Sequence, residues 1–456
     1  MRITVCIRQG LDGEINPFDA CAYEAALQIP NAEITLLSMG PESVGDTLLR
    51  LTRLGAKEAV LLSDRVFAGA DTLATAYALS CAIKALSPDL VLCGRQTLVG
   101  DTAQTGPMLA TLAGVSLITN VMRIDSVGEC VTCQTRTEGE MTVSLPALLT
   151  IERINTLRLP RLRSKIGELR ILSAADVGAD PARCGLAGSP TRVLKTFENQ
   201  SGKRRCRFIG RDQLEEAIAA GLAKKQISET GTTQSTARLA SVCTVGESPL
   251  PFARTVSDHV TVLPLADADT LIEGIRSLDP DAVLWGSDAR SKRLAAVVAA
   301  RLSLGLCADC TSLETDGETL MMYRPALSGS MIAKIKSLTR PAMATVRTDD
   351  GGARDLVICA GFGVKDRLDE IRALAAKHGA ELAATRKMTD NGITPYEWQV
   401  GLTGKTVSPP VYLAIGVSGA VHHIVGMQRA GTVIAINPDR SAPIFDYADY
   451  GIIDNF

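Results

Sequence analysis

The chain has 456 residues, with 48 Lys and Arg against 50 Asp and Glu, and only 4% aromatic side chains. This length exceeds one hydrophobic core and predicts two or three domains. A net charge near zero gives no field for holding polyanions, and so few aromatics leave little to stack on bases, so no nucleic-acid partner is expected.

The N-terminal "MRITVCIRQG" enters a strand-like run directly and lacks the pattern of a signal peptide. No apolar run reaches the roughly 20 residues that span a bilayer, so no stable membrane insertion is expected. Together these features point to a cytoplasmic protein whose twelve cysteines are reduced thiols. Two CxxC pairs occur, Cys130/Cys133 and Cys307/Cys310. The first lies in "ECVTCQTRTEGEMTVSL", which reads as a hairpin, and strand residues three apart face opposite sides. Buried small apolar side chains are the plainer reading than a zinc or iron–sulfur centre, and no metal is expected.

In chain order, short apolar runs recur, each followed by a turn and a helix-like stretch. They are "ITVCI" (3–7), "ITLLSMG" (34–40), "LVLCG" (90–94), "AVLWG" (282–286), "LVICAG" (356–361), "VYLAIG" (411–416) and "TVIAIN" (432–437). Such runs fit parallel strands buried on both faces with helical crossovers, which predicts a doubly wound α/β fold. "IKALSPDLVLCG" (83–94) is repeated as "IRSLDPDAVLWG" (275–286), and "LPALLTIER" (145–153) as "RPAMATVRT" (340–348). The two offsets, 192 and 195 residues, nearly agree, which predicts a duplicated α/β domain. Between the copies, "RDQLEEAIAAGLAKK" reads as a helix, and "SETGTTQSTA" (228–237) as a polar linker. "DDGG" (349–352) marks a further boundary. The expected domains are 1–188, an arm, helix and linker over 189–237, a second copy over 238–348, and a last α/β unit over 349–456. The second copy is read as beginning near its second strand.

The strand ends of the last unit carry the chemistry: Gly361-Phe362-Gly363, Thr385-Arg386, "GVSG" (416–419) and Asn437-Pro438-Asp439. A glycine- and threonine-rich loop, "WQVGLTGKTVSP", joins them. Open parallel sheets bind ligands at the carboxyl ends of their strands. Small residues, hydroxyl and amide donors and one fixed cation suit a dinucleotide. Neither GxGxxG after a first strand nor GxxxxGK[ST] occurs, so a Rossmann nicotinamide site or a P-loop is not indicated. The pair His422-His423 leaves a metal site, a catalytic histidine or an anion cradle open, although no third metal ligand is spaced near it.

"QVGLTGKTVSPPVYLAIGVSGAVHHIVGM" and "AINPDRSAPIFDYADYGI" resemble the FAD domain of the α subunit of electron-transferring flavoproteins. "NPFDACAYEAAL", "LLSDRVFAGADTLATAYAL", "CGRQTLVGDTAQTGP" and "GLAGSPTRVLKTF" resemble the β subunit of that family. "GLCADCTSLE" and "RPAMATVR" resemble the first domain of the α subunit. The resemblance implies a natural β–α fusion, a functional pseudo-heterodimer. Its implied fold is two related adenine-nucleotide-hydrolase-like α/β domains plus a C-terminal doubly wound FAD-binding domain.

The resemblance further implies an electron carrier with FAD in the C-terminal domain. Thr385 and Arg386 match the position whose guanidinium lies over the flavin. Thr403, within Gly401 to Gly404, matches the threonine near the reactive nitrogen. Gly416, Ser418 and Gly419 match the loop at the next helix start, and His423 the histidine that donates to a flavin carbonyl. Asn437 and Asp449 match cofactor-loop positions, Asp449 toward the adenosine end. Three positions depart from the pattern: Phe362 stands for an arginine, Leu402 for a glutamine, and His422 for another glutamine.

In the first copy, Cys6, Asn16, Asp64, Thr72, Gly94, Asp101, Thr102, Gln104 and Thr105 are the implied nucleotide site. The ligand is a second FAD, as in bifurcating members that take electrons from NADH, or AMP as in the others. "LRLPRLRSKIG" (157–167) is implied to dock a flavin dehydrogenase of the acyl-CoA dehydrogenase type through Leu162. The competing expectation is a nucleotide-binding relative that has lost redox duty. A metal hydrolase using His422 is a third.

Overall fold

The computed structural model describes residues 1–10, 13–152, 156–198, 203–224, 237–329, 331–348 and 354–456. The linker 228–236 and the boundary 349–352 fall outside the described residues.

The chain opens with β1 (Arg2–Cys6), α1 (Pro17–Gln28), β2 (Glu33–Met39), α2 (Val44–Thr52), β3 (Glu58–Leu62), α3 (Thr72–Leu86), β4 (Leu90–Gly94) and α4 (Thr105–Ala113). It continues with β5 (Ser116–Val127), β6 (Cys130–Thr135), β7 (Gly139–Ser144), β8 (Ala147–Ile151), β9 (Glu168–Leu172), β10 (Thr191–Glu198), β11 (Arg207–Phe208) and α5 (Leu214–Ala223). The second copy comprises β12 (Val242–Val245), α6 (Leu250–Val256), β13 (Val260–Leu263), α7 (Ala268–Leu278), β14 (Ala282–Trp285), α8 (Ala289–Leu302) and β15 (Leu306–Cys310). It ends with β16 (Ser312–Thr315), β17 (Leu320–Ala326), β18 (Met331–Ser337) and β19 (Ala342–Val346). The last stretch holds β20 (Leu356–Ala360), α9 (Leu368–His378), β21 (Glu381–Ala384), α10 (Arg386–Asp390), β22 (Val411–Ile415), α11 (Val421–Met427), β23 (Thr432–Ile436) and β24 (Tyr450–Ile452).

Two compact units result. One contains residues 1–195, 233–327 and 333–346; the other contains 196–232, 328–332 and 347–456.

In the first unit, the first copy forms a nine-stranded sheet ordered β7-β6-β5-β8-β4-β1-β2-β3-β9. β1 pairs in parallel with β2 on one side and β4 on the other. The chain therefore reverses its winding direction between β1 and β4, and their carboxyl ends open a crevice. The second copy orders its five strands β13-β12-β14-β19-β15. β12 pairs with β14 and β13 as β1 pairs with β4 and β2. The opening strand of the second copy is thus present, contrary to expectation. Among the described residues, the second copy's sheet ends at β13, the counterpart of β2, and lacks counterparts of α2, β3 and the outermost strand β9. An edge strand can go without breaking the central parallel core, whereas the switch-point strands cannot. The repeated "LSPD" and "LDPD" are helix stops: Ser87 (φ 46°) and Asp279 (φ 42°) end α3 and α7 in the left-handed region just before a proline. Asp71, Asp267 and Asp288 cap α3, α7 and α8 by accepting first-turn N–H groups. Both copies contribute to one apolar core, Leu79 and Ala82 joining Ala295 and Ala299.

The second unit carries a six-stranded sheet ordered β11-β24-β23-β22-β20-β21, parallel throughout. The strands β20, β22 and β23 are buried at every position, as their unbroken apolar runs require. β11 extends the edge of this sheet, and α5 packs on it with Gly221 against Val411 and Thr432. Here the winding reverses between β20 and β22. No helix among the described residues is long and apolar enough to cross a membrane.

Candidate nucleotide and flavin sites

A cavity of about 940 Å³ opens at the carboxyl ends of β1 to β4. Its floor holds Cys6 and Cys93, paired across β1 and β4 and buried. Asp19, on α1, joins the two strand ends: Oδ2 accepts from the Arg8 N–H (2.8 Å) and Oδ1 from the Gly94 N–H (3.0 Å). Burial pushes its carboxyl up to about 7, against the opposing pull of those two hydrogen bonds. Gly94 is required there, since a Cβ would lie 2.3 Å from Asp19 Oδ1.

One wall is the start of α4, a nine-residue helix with no side-chain cap. Thr102, Ala103, Thr105 and Gly106 face the cavity. Asp101 and Ala103 both adopt positive φ (50° and 54°). At Ala103–Gln104 a left-handed residue is followed by a right-handed one (φ −102°, ψ −26°), an alternation that turns successive N–H groups to one side and cradles anions. The opposite wall includes Asp64, whose carboxylate is held down by N–H bonds from Val66 and Ala174 at 3.1 Å each.

Of the nine residues expected here, Cys6, Asp64, Gly94, Thr102 and Thr105 line the cavity. Four do not. Asn16 donates to the Gln96 carbonyl (2.9 Å), Asp101 accepts from Gln96 Nε2 (3.2 Å), and Gln104, the residue before α4, is buried. Thr72 opens α3 beside the capping Asp71. Asp19, Arg8, Ser38, Arg65 and Arg95 also line it and were not foreseen. In the second copy Trp285 takes the place of Cys93, and its indole is fully buried.

In the second unit the reversal between β20 and β22 brings Gly361 onto Gly416: a Cβ at 361 would lie 2.0 Å from the Gly416 carbonyl oxygen. Thr385 and Arg386 follow β21. The Thr385 hydroxyl is buried without a hydrogen-bond partner, and Arg386 Nε reaches Asp390 at 3.0 Å. Thr403 is nearly buried; its hydroxyl accepts from Gln399 Nε2 (2.7 Å), which leaves its own proton to donate onward. Gln399 Oε1 in turn lies 2.7 Å from the Thr389 hydroxyl on α10, tying the loop of Thr403 to the helix of Arg386. Gly401 and Gly404 let that loop fold tightly; a Cβ would meet the His422 carbonyl oxygen at 2.6 Å or that of Gln399 at 2.2 Å. Arg347, buried, holds the loop from below through the Leu402 carbonyl and the Thr406 hydroxyl (3.2 Å). It was not foreseen. Asn437 donates to the Val417 carbonyl (2.8 Å) and fixes the next loop.

Three expectations need correction. Ser418 and Gly419 do not start the helix: α11 begins at Val421 with Ala420 in the capping position. Asp449 is not at the crevice. It stands before β24, at the amino edge of the sheet, and accepts from Arg204 Nη1 (2.5 Å) and the Val433 N–H (2.8 Å). His423 has no N–H to spare for a flavin carbonyl. Its Nδ1 lies 3.1 Å from the Val400 carbonyl oxygen and its Nε2 3.0 Å from the Tyr412 hydroxyl. A carbonyl only accepts, so Nδ1 carries the proton and Nε2 accepts from Tyr412. His422 is half-buried.

The arginine absent at position 362 does not leave a neutral pocket. Lys387 Nζ sits 3.9 Å from the centroid of the Phe362 ring and Lys365 Nζ 5.3 Å. Cation–π attraction holds positive charge beside the strand end. An orphaned hydroxyl at Thr385, an outward proton at Thr403 and the cations around Phe362 and Arg386 fit a large anionic redox cofactor.

Fold and sites define a class: doubly wound α/β proteins with switch points in two separate parallel sheets. Comparison with known families narrows it. The electron transfer flavoprotein domain matches residues 3–177 and 254–350, and the electron transfer flavoprotein FAD-binding domain matches 352–428. The chain is 40% identical over 242 residues to the electron transfer flavoprotein subunit beta of Megasphaera elsdenii, an alignment covering 49% of this chain and 90% of that protein. It is 39% identical over 242 residues to protein FixA of Azorhizobium caulinodans, covering 48% and 86% respectively. Against the electron transfer flavoprotein subunit alpha of Thermoanaerobacterium thermosaccharolyticum it is 34% identical over 232 residues, covering 41% and 70%. The chain belongs to the electron transfer flavoprotein family and joins a β-type half and an α-type half in one polypeptide, with an FAD-binding domain at its C-terminal end.

Proposed function

We propose that this fused flavoprotein exchanges electrons with a flavin dehydrogenase of the acyl-CoA dehydrogenase type and binds a second FAD in its N-terminal half. The observation that carries the reading is the cavity of about 940 Å³ at the β1–β4 switch point. It stands at the upper end of the roughly 300–1,000 Å³ usual for small-molecule sites, which favours a dinucleotide over AMP. The uncapped start of α4 supports a phosphate-bearing ligand, and Arg8, Arg65 and Arg95 on the walls support an anionic one. A second FAD there makes NADH a candidate donor and bifurcation a candidate activity.

In the C-terminal domain, FAD supplies the one- and two-electron redox chemistry. Arg386 would offset negative charge on its ring system, Thr403 would donate a proton to a hydrogen bond, and Gly416 to Gly419 would admit the cofactor close to the backbone. Leu162, fully exposed, and Leu159 on the segment 156–167 offer an apolar docking point for the dehydrogenase.

Counting FAD and AMP released per chain on denaturation tests the reading. Two FAD support it; one FAD with one AMP leaves a simple carrier. The alternative of a relative without redox duty rests on Phe362, and a protein lacking flavin absorbance while retaining AMP would establish it.

A further inference from the structure

Arg324 lies on β17, in the second α/β copy, and is only 5% exposed. Its Nη2 donates to the carbonyl oxygen of Asp101, 3.1 Å away in the loop that leads into α4 of the first copy. Its Nε is buried without a hydrogen-bond partner. Among the described residues no carboxylate forms an ion pair with it; the nearby carboxylates are engaged elsewhere, Asp101 with Gln96 Nε2 (3.2 Å) and Asp309 with Lys292 (2.7 Å). A cation taken out of water without a counter-ion is costly, so its retention calls for a compensating charge. The Leu327 N–H donates to the Val99 carbonyl (3.3 Å) on the same loop, a second tie from the second copy that remains when Arg324 is replaced.

We propose that Arg324 is a positioning residue of the N-terminal nucleotide site, supplied by the other copy of the fold. Its guanidinium fixes the Asp101 carbonyl, and with it the left-handed turn through Ala103 that aims the N–H groups at the start of α4 into the cavity. Its uncompensated charge raises the positive potential there, and the ligand's phosphate groups are the missing counter-charge. Arg324 acts through the loop and does not line the cavity itself. The duplication thereby gains a purpose: the copy in which a buried Trp285 stands in the place of Cys93 completes the site of the copy that carries the cavity.

This inference rests on reading the cavity as an adenine-nucleotide site, and the probes separate the two. Full-length protein stripped of nucleotide is titrated calorimetrically with AMP, adenosine and inorganic pyrophosphate, as wild type, Arg324→Met and Arg324→Lys. Arg324→Met is expected to weaken AMP and pyrophosphate about tenfold or more while leaving adenosine within about twofold, and Arg324→Lys to restore part of the loss. Without ligand, Arg324→Met should melt at or above the wild-type temperature and gain less on adding AMP. Equal weakening of AMP and adenosine, unchanged AMP and pyrophosphate affinity, or a large drop in ligand-free melting temperature would each overturn the proposal. Wild-type protein that binds pyrophosphate but not adenosine would instead overturn the adenine reading, and loss of that pyrophosphate binding in Arg324→Met would still support Arg324.

Discussion

His423 and Val400, 23 residues apart, are joined by a 3.1 Å hydrogen bond from imidazole to backbone carbonyl beneath the loop that carries Thr403. The ring is fully enclosed by Tyr412, Cys359 and that carbonyl, and burial pushes its pKa down to about 4. Its part is to hold the loop in shape.

A pH signature follows. The folded-state pKa lies below the ordinary value of 6.5, so the unfolded chain takes up a proton first as pH falls. Stability from His423 is complete above about pH 6.5 and is lost progressively down to about pH 4, by up to ~3 kcal/mol. Denaturation of wild type and His423→Phe across pH 4–7.5 checks this. The gap between the two should shrink as pH falls, and a gap independent of pH would refute it.

Asp19 works in the opposite sense. Its folded-state pKa of about 7 lies above the ordinary 3.8, so its contribution is present at acid pH and is lost as pH rises toward 7. An amide in its place can accept from only one of the Arg8 and Gly94 N–H groups and sets a donor against the other. Asp19→Asn should therefore destabilise most at about pH 4, by about 1–3 kcal/mol, and progressively less toward pH 8. A penalty that grows with pH would exclude this account.

Arg386 and Asp390 make opposite predictions for one observable. Their 3.0 Å ion pair damps the field that Arg386 sends toward a bound flavin. Asp390→Asn should raise the one-electron potential of the C-terminal FAD and Arg386→Gln should lower it, each by tens of millivolts; ~60 mV corresponds to about 1.4 kcal/mol. Spectroelectrochemical titration measures both, and shifts of the same sign would remove Arg386 from the cofactor's field.

The parallel strands were readable because a strand buried on both faces must be apolar without interruption, as in "VYLAI" (411–415) and "TVIAI" (432–436). The duplication was readable because a helix stop, "LSPD" or "LDPD", precedes an apolar strand in both copies. Which outer strands have no counterpart in the second copy was not readable, since strand order is a property of the sheet and the offset between repeats carries no order. Arg324, Arg347 and Asp19 were missed for one reason. Each is a single charge held mainly by backbone groups elsewhere in the chain, such as the Asp101 carbonyl, 223 residues from Arg324. No residue type marks a carbonyl or an N–H as a partner. His423 was found but misassigned, because its motif cannot show that Tyr412 and Val400 already occupy both nitrogens.

Gly361→Ala tests the switch point of the second unit. The added methyl would meet backbone, the Gly416 carbonyl oxygen at 2.0 Å, and neither strand end can move without parting β20 from β22. A loss of several kcal/mol, beyond the roughly 1–3 kcal/mol of ordinary overpacking, is expected, along with failure to retain FAD. Gly379→Ala is the control: its Cβ would meet nothing, and only the cost of a left-handed alanine (φ 61°), about 1 kcal/mol, applies. Equal melting temperatures for the two variants would refute the close approach.

Leu162 separates docking from folding. Its side chain is 100% exposed and Leu159 is 88% exposed, so neither contributes apolar burial to the fold. Leu162→Ala should leave the melting temperature within about 1 °C, in keeping with the ±0.5 kcal/mol usual for surface changes. If Leu162 is the anchor that enters a pocket on the dehydrogenase, its loss should weaken docking by about 2 kcal/mol or more, roughly thirtyfold in affinity. Leu159→Ala, only a few residues away, should cost far less if it lies on the rim of that contact. Stopped-flow electron exchange with an acyl-CoA dehydrogenase, measured against partner concentration, reads the difference. A raised half-saturation with an unchanged limiting rate marks a docking residue. A lowered limiting rate for both variants would mean that the segment sets the distance for electron transfer, and equal binding losses at 159 and 162 would mean that no single leucine is the anchor.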